Sequence, residues 1–339
     1  MTARLPPAPA TLFSPAGHLL DGVYAGGVAD PDIGVRGALG CLRQKEWHYL
    51  SVCTTTHFVA VAVVQLGYLA NAFVYAVELG DRTSGPWQWE ALSPLGRAAL
   101  FASAADRGVT DWQSRHGRIV IAGDRSGWQV DLDVALRNRG ESRPLRGRIS
   151  VARAEPLALV HRLPTGKPAY TEKEAGLRAD LDLRLGDQTL RESGLATSDW
   201  TRSLAQRETR WKWASMVAQL PDGRRLGLNL SAEVDDDARG HGRENVVWLD
   251  GALQPLGGVR FTVPAAADQH TWRIDSLDDG AVALRFEPAG ARRQDLDLLV
   301  VASQFVQPFG RFFGQLAVGG EVIAVDGAFG VVEDHRARW

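Results

Sequence analysis

The chain has 339 residues, 45% of them apolar, and a formal charge of −2, so it has the material for a large core and no global positive field to draw in nucleic acid or an anionic membrane. Two cysteines supply neither a disulfide framework nor a four-ligand zinc site. Eleven tryptophans and 36 glycines suit a β protein, where large rings fill interiors and glycines allow turns and bulges.

Residues 1–13 are proline-rich and lack a basic region followed by a long apolar run, so no secretory signal is read and a cytoplasmic location is expected. Residues 47–52 alternate aromatic and polar side chains, 58–66 are rich in β-branched residues, and 68–79 follow the Gly67 break. They predict strand, turn, strand, bulge, strand. The apolar window 57–70 contains Gln65 and Gly67 and is too short to span a bilayer, so no transmembrane segment is expected. Short strands continue through 87–89, 118–122, 128–136 and 145–151, with Pro94–Asp106 and a turn at 198–202 as the helical candidates. Six arginines between 137 and 153 read as a solvated β-ribbon. A second run of strands begins at 210–217, turns at Pro221-Asp222-Gly223, and proceeds through 225–230, 245–249, 259–263, 271–276, 281–286, 297–306, 312–318 and 322–332. The pair Trp47/Tyr49 recurs as Trp211/Trp213 at an offset of 164, close to half the chain, which predicts an internal duplication.

The signatures of common chemistries are missing: there is no GxSxG, HExxH, CxxC or GxGxxG. Gly166-Lys167 lacks the hydroxyl residue of a phosphate loop, and the acidic run 233–237 lacks calcium-loop spacing. The histidines are scattered, so neither a metal nor a cofactor is expected.

Polar candidates remain. On an extended C-terminal segment Glu333, His335 and Trp339 share one face, and Asp334, Arg336 and Arg338 the other. This fits a closing strand with a salt-bridged outer face, or a strand that aims Glu333 and His335 into a cavity. A buried acid in apolar surroundings donates a proton to an alkene or leaving group, and aromatic rings steady the developing cation. Glu333 and His335 are therefore the catalytic candidates. Glu208, Arg210 and Lys212 share one face of a strand with Trp211 and Trp213 on the other, so Arg210 either faces solvent or is held by Glu208 in a polar-lined cavity. Asn229 closes the next strand and Glu244-Asn245 opens another, with Asn245 and Asp250 as turn caps. Tyr170 and Lys173 follow a Pro-Thr-Gly-Lys-Pro loop and are read as reaching into a cleft; His57 and Tyr68 sit at hairpin rims.

Asp199-Trp200-Thr201-Arg202, Arg210-Trp211-Lys212-Trp213-Ala214-Ser215, Leu226-Gly227-Leu228-Asn229, Glu244-Asn245, Asp250-Gly251, Phe309-Gly310-Arg311 and the segment from Glu333 to Trp339 resemble the bacterial family catalogued as domain of unknown function 2804. The resemblance runs from about Gly40 to Trp339. Tyr170-Thr171-Glu172-Lys173 resembles the family's Tyr-Thr-Gln-Lys, with Glu172 in place of glutamine, and Val306 stands where a histidine is expected ahead of Gln307. The family carries no settled activity. More distantly, the layout is similar to double lipocalin-like proteins such as carotenoid hydratases and tocopherol cyclases, a likeness of architecture that transfers no residue role.

The expected fold is mainly β: two lipocalin-like antiparallel barrels or sandwiches packed side by side, residues 1–195 and 196–339, with an aromatic-lined pocket. The expected ligand is a hydrophobic small molecule, isoprenoid or fatty-acyl, hydrated or cyclised without a cofactor by general acid catalysis. The other readings are a non-catalytic lipid carrier and an interaction scaffold. The ligand-binding candidates are Tyr68, Tyr170, Lys173, Arg210, Trp211, Trp213, Asn229, Glu244 and Trp339.

Overall fold

The structure is a computed structural model that describes residues 4–37, 40, 42–81, 85–297 and 302–338. It is nearly all β, in two compact units, Pro7–Ala205 and Gln206 onward.

The N-terminal unit runs β1 (Gly22–Ala25), β2 (Lys45–Cys53), β3 (His57–Gln65), β4 (Leu69–Glu78), β5 (Trp87–Pro94), β6 (Ala99–Leu100), β7 (Gly108–Ser114), β8 (Gly117–Asp124), β9 (Gly127–Asn138), β10 (Glu141–Ala152), β11 (Leu157–Arg162), β12 (Pro168–Leu185) and β13 (Gln188–Ser203). The pairings close a circuit of eight strands, β12-β13-β2-β3-β4-β5-β9-β10 and back to β12. Its seam is between β5 and β9, where only Gln88 and Arg137 are in register. A closed circuit leaves no long edge open to another chain. β12 is long enough to pair with β10 through its second half and with β11 through its first, and it changes register at a bulge between Ala175 and Leu177. Alternate residues of the circuit fill its interior with Leu50, Val61, Val74, Leu132, Ile149, Leu181 and neighbours, and Trp89, Trp112 and Trp128 pack into the same core. Each such aliphatic side chain contributes about 1.5–3 kcal/mol on burial.

The expected helix at 94–106 does not form. Leu95 and Gly96 turn the chain through left-handed conformations, with φ of 59° and 64°, and β6 follows. Residues 198–202 belong to β13, so β13 also carries the chain past residue 195 to the division between Ala205 and Gln206.

The C-terminal unit comprises β14 (Glu208–Gln219), β15 (Arg225–Ala232), β16 (Val246–Leu249), β17 (Ala252–Pro255), β18 (Val259–Thr262), β19 (Trp272–Ser276), β20 (Val282–Asp297), β21 (Ala302–Val318) and β22 (Glu321–Arg338). It is an up-and-down meander whose first and last strands pair, in the order β17-β16-β15-β14-β22-β21-β20-β19-β18. The two edge strands are consecutive in sequence and joined by residues 256–258. Asp222-Gly223 makes the expected hairpin turn, with the Gly223 amide donating to the Leu220 carbonyl. Ala214, Met216, Leu228, Leu230, Trp272, Phe286, Phe312 and Val332 lie on one face of this sheet and form its apolar core.

The repeated aromatic pair occupies equivalent strands. β2 lies between the next strand, β3, and the unit's last, β13; β14 lies between β15 and β22. Trp47 and Tyr49 stand opposite Thr201 and Asp199, and Trp211 and Trp213 stand opposite His335 and Glu333. Ser51 and Ser215 follow at the same offset. No helix among the described residues is long and apolar enough to cross a membrane.

Candidate active site

Register decides which side chains meet in the C-terminal unit. Directly opposed residues share a face. Ala214 and Val332 are opposed and belong to the core, so Trp213 and Glu333, one step along each strand, point to the other face. Trp211 and His335 form the next row on that face, and Phe305 of β21 extends it. Most of this face is buried although it lies opposite the apolar core: Glu333 is 6% exposed, His335 8%, Gln307 2% and Ser303 7%.

Glu333 is held at both oxygens. The Trp211 indole Nε1–H donates to Oε1 at 2.6 Å, and the Gln307 amide donates to Oε2 at 2.9 Å. His335 Nδ1 lies 3.7 Å from Glu333 Oε1, and its Nε2 is 2.9 Å from Ser303 Oγ. The imidazole is framed by two rings edge-on, Trp211 at 4.2 Å and Phe305 at 5.1 Å between centroids. Trp213 donates its indole N–H to Asn229 Oδ1 at 2.7 Å, and the Asn229 amide donates to the Glu244 carbonyl at 2.8 Å. A carboxylate that accepts two N–H bonds from uncharged groups, with an imidazole beside it, is an arrangement for passing a proton.

The structure thus gathers Glu333, His335, Trp211, Trp213 and Asn229, and brings in Glu244 through its backbone carbonyl. Arg210 points to the opposite side of β14, where it is exposed and pairs with Glu233 at 3.5 Å; Lys212 binds the same carboxylate, so Glu233 and not Glu208 holds the two cations. Trp339 lies outside the described residues. Asn245, read as a turn cap, is buried and accepts from the Ser231 amide while donating to Gly242 and Gly257. Gln307, Ser303 and Phe305 escaped the sequence reading. Their signal is the alternation Ser303-x-Phe305-x-Gln307-x-Phe309.

In the N-terminal unit, Tyr170 and Lys173 point to opposite faces of β12. Lys173 meets Asp199 at 2.6 Å, and Asp199 also accepts from Thr201 at 3.1 Å. Tyr170 turns inward, donates to Glu172 at 2.6 Å, and accepts from the Val28 amide at 3.0 Å. Arg153 binds Glu172 and lies 2.6 Å from Glu174. Burial and the neighbouring Glu172 carboxylate push Glu174 up to about 8 against the pull of Arg153. His48, enclosed by Trp128 and bonded to Thr110 Oγ1 at 3.2 Å, is pushed down to about 3 by burial. Tyr68 stacks under the Lys45 ammonium at 4.4 Å; burial lowers Lys45 to about 8 while it donates to the Leu66 carbonyl at 2.7 Å.

A groove of about 780 Å³ opens beside Ser142, Arg143, Arg146, Arg184 and Gln188, where β10 meets the β12–β13 hairpin. It is lined by arginines, not the expected aromatic rings, and none of the site candidates lines it. Among the described residues no group of His, Cys, Asp and Glu is placed to hold a metal.

The chain belongs to the family described as Domain of unknown function (DUF2804), whose model matches residues 7–339. No curated protein matches it by sequence. A solved structure assigned as AttH from Nitrosomonas europaea is similar with a TM-score of 0.51 at 14% identity, over 86% of this chain and 92% of that one. CghA with Sch210972 gives 0.49 at 11% identity, over 87% and 88% of the chains. Kievitone hydratase from Nectria haematococca gives 0.45 at 12%, over 98% of both. The likeness to the Nitrosomonas protein is one of fold.

Proposed function

We propose that this member of the family binds an apolar small molecule, of isoprenoid or fatty-acyl type, against Trp211, Trp213 and Phe305, and moves a proton on it through Glu333 and His335 in a hydration or cyclisation. The observation that carries the reading is the buried carboxyl–imidazole pair 3.7 Å apart, with each Glu333 oxygen receiving an N–H from an uncharged side chain. Acceptance at both oxygens suits the carboxylate form. The proton passed to an alkene is then the one carried by the imidazole, and Glu333 takes the part of its partner and of the base that recovers it. The tryptophan faces supply an apolar bed and a π surface for a developing cation.

The test begins with extraction and mass spectrometry of lipids that co-purify with the protein, followed by turnover of the identified class. Glu333→Gln keeps the shape and removes the base, so turnover is expected to fall about 10²–10⁴-fold with binding retained. Unchanged turnover refutes the assignment of Glu333. A ligand that binds in near-stoichiometric amount and is never transformed makes the protein a carrier, and a protein indifferent to isoprenoids and fatty acids removes the ligand reading altogether.

A further inference from the structure

Ser303 has no part in the proton transfer just described, yet it completes a familiar set of atoms. Its Oγ lies 2.9 Å from His335 Nε2, and the other ring nitrogen, Nδ1, faces Glu333 Oε1 across 3.7 Å, an ion-pair contact that has to shorten to become the orienting hydrogen bond. Ser303 and His335 are diagonal neighbours on one face of the β21–β22 ladder, because Phe305 is the direct partner of His335 and Ser303 that of Ala337. All three groups are buried, and the ring between them is clamped by Trp211 and Phe305. Nucleophile, base and orienting acid in this order are recognised by geometry and not by position in the chain, so the absence of a GxSxG elbow is no obstacle. On the adjoining strand, the Gln294 amide oxygen is 3.4 Å from Ser303 Oγ. That oxygen accepts from the serine hydroxyl, so the amide has to turn its N–H groups toward the substrate to serve a developing oxyanion.

We propose that Ser303, His335 and Glu333 form a serine–imidazole–carboxylate relay that transfers the acyl group of a carboxylic ester with an apolar acyl chain. In the tautomer with the proton on Nδ1, toward Glu333, the Nε2 lone pair takes the Ser303 hydroxyl proton while Oγ bonds to the ester carbonyl carbon. The carbonyl oxygen becomes the oxyanion beside Gln294. Its collapse breaks the carbon–oxygen bond to the alcohol, which leaves with the proton from Nε2. Water, deprotonated by the same nitrogen, then attacks the acyl-serine carbon, releases the carboxylic acid and restores the Ser303 hydroxyl. This inference shares Glu333 and His335 with the proposed function but does not depend on its ligand.

The test treats the full chain with a fluorophosphonate probe and, separately, with p-nitrophenyl acetate, and maps the adduct by peptide mass spectrometry. The expected result is a phosphonyl or acetyl group on the Ser303 peptide and steady release of nitrophenol, reduced about 10³-fold or more in Ser303→Ala. His335→Asn is expected to lose the adduct as well. An adduct elsewhere, no adduct, or ester turnover that survives Ser303→Ala overturns the relay. Mapping on the wild-type chain needs no variant to fold. A protein that is labelled at Ser303 but binds no apolar ligand overturns the proposed function alone, and one that binds the ligand without labelling overturns this inference alone.

Discussion

The two units carry the same strip in different chemistry. In the C-terminal unit the row Gln307, Glu333, Trp213 gives the carboxylate uncharged donors from Gln307 and Trp211; in the N-terminal unit the equivalent row Lys173, Asp199, Tyr49 gives it an ammonium at 2.6 Å. The next row replaces Phe305 and His335 with Thr171 and Thr201, whose hydroxyls are 2.6 Å apart. A carboxylate locked to a lysine and two threonines holds strands together. One that faces amide, indole and imidazole retains the means to exchange a proton. The two units place these rows on similarly paired strands, and the side chain opposite the acid separates the strip we read as structural from the one we read as chemical.

The largest expected effect comes from breaking the N-terminal pair. Lys173→Met leaves Asp199 buried beside hydroxyls only, which is expected to cost about 3–5 kcal/mol in denaturant titration. The double variant Lys173→Met/Asp199→Asn removes both charges and is expected to recover most of that loss. If the single variant melts like wild type, the strip is not held by its ion pair and the contrast between the units fails.

The second effect is on pH, and it lies inside the N-terminal barrel. Glu174 has a folded value raised to about 8 from the ordinary 4.5, because it is desolvated and lies beside the Glu172 carboxylate, which together outweigh the opposing pull of Arg153. It accepts from the Ala154 amide at 2.8 Å; Tyr170 bonds to Glu172, and His48, held neutral above about 3, contributes no charge. The folded state therefore keeps a proton that the unfolded state has lost. The associated stability is fully present below pH 4.5 and is lost as pH rises toward 8, at a slope of up to about 1.4 kcal/mol per pH unit. Glu174→Gln is expected to gain stability relative to wild type across that window and to run parallel to it above and below. Parallel curves throughout mean that Glu174 stays ionised.

How much of this was legible in sequence follows from register. Strand positions and the Asp222-Gly223 turn show in local pattern, and so does the shared face of Glu333 and His335, since alternation within one strand needs no partner. The placement of Gln307 against Glu333 does not show. The β21–β22 hairpin turns at Gly319-Gly320, and counting back from it is in error by one residue, because a bulge between Phe312 and Phe313, with Gly327 at φ 75° on the partner, shifts the register. A slip of one exchanges the faces and hides both Gln307 and Ser303. Arg210 takes the solvent-facing one of its two readings, paired with Glu233 and not with Glu208, for a related reason. Its face is the core face of β14, but it lies at the end where the core has run out, so a cation there reaches solvent and Glu233. The helix read at 94–106 failed at Leu95, a non-glycine in a left-handed turn, which nothing in the apolar spacing announces.

The smallest expected effect separates two indoles two residues apart. Trp211 donates to a carboxylate, and Trp213 donates to the neutral amide oxygen of Asn229. Phenylalanine at either position removes the N–H and trims the ring, at a buried site for Trp213 and a half-buried one for Trp211, so the packing loss favours the opposite order to the acceptor's charge. A bond to a charged partner is worth about 1.5–3 kcal/mol and a neutral one about 1. Trp211→Phe is therefore expected to be the more destabilising of the two by at most about 1 kcal/mol in matched urea titrations, and to slow turnover of any identified substrate, because Glu333 loses the donor at the oxygen nearest His335. The opposite order, with turnover unchanged in Trp211→Phe, means that Glu333 accepts as a neutral acid does. The contrast with Asp199 then reverses its sense: the C-terminal carboxyl arrives already carrying the proton, and the donor to an alkene is Glu333 itself.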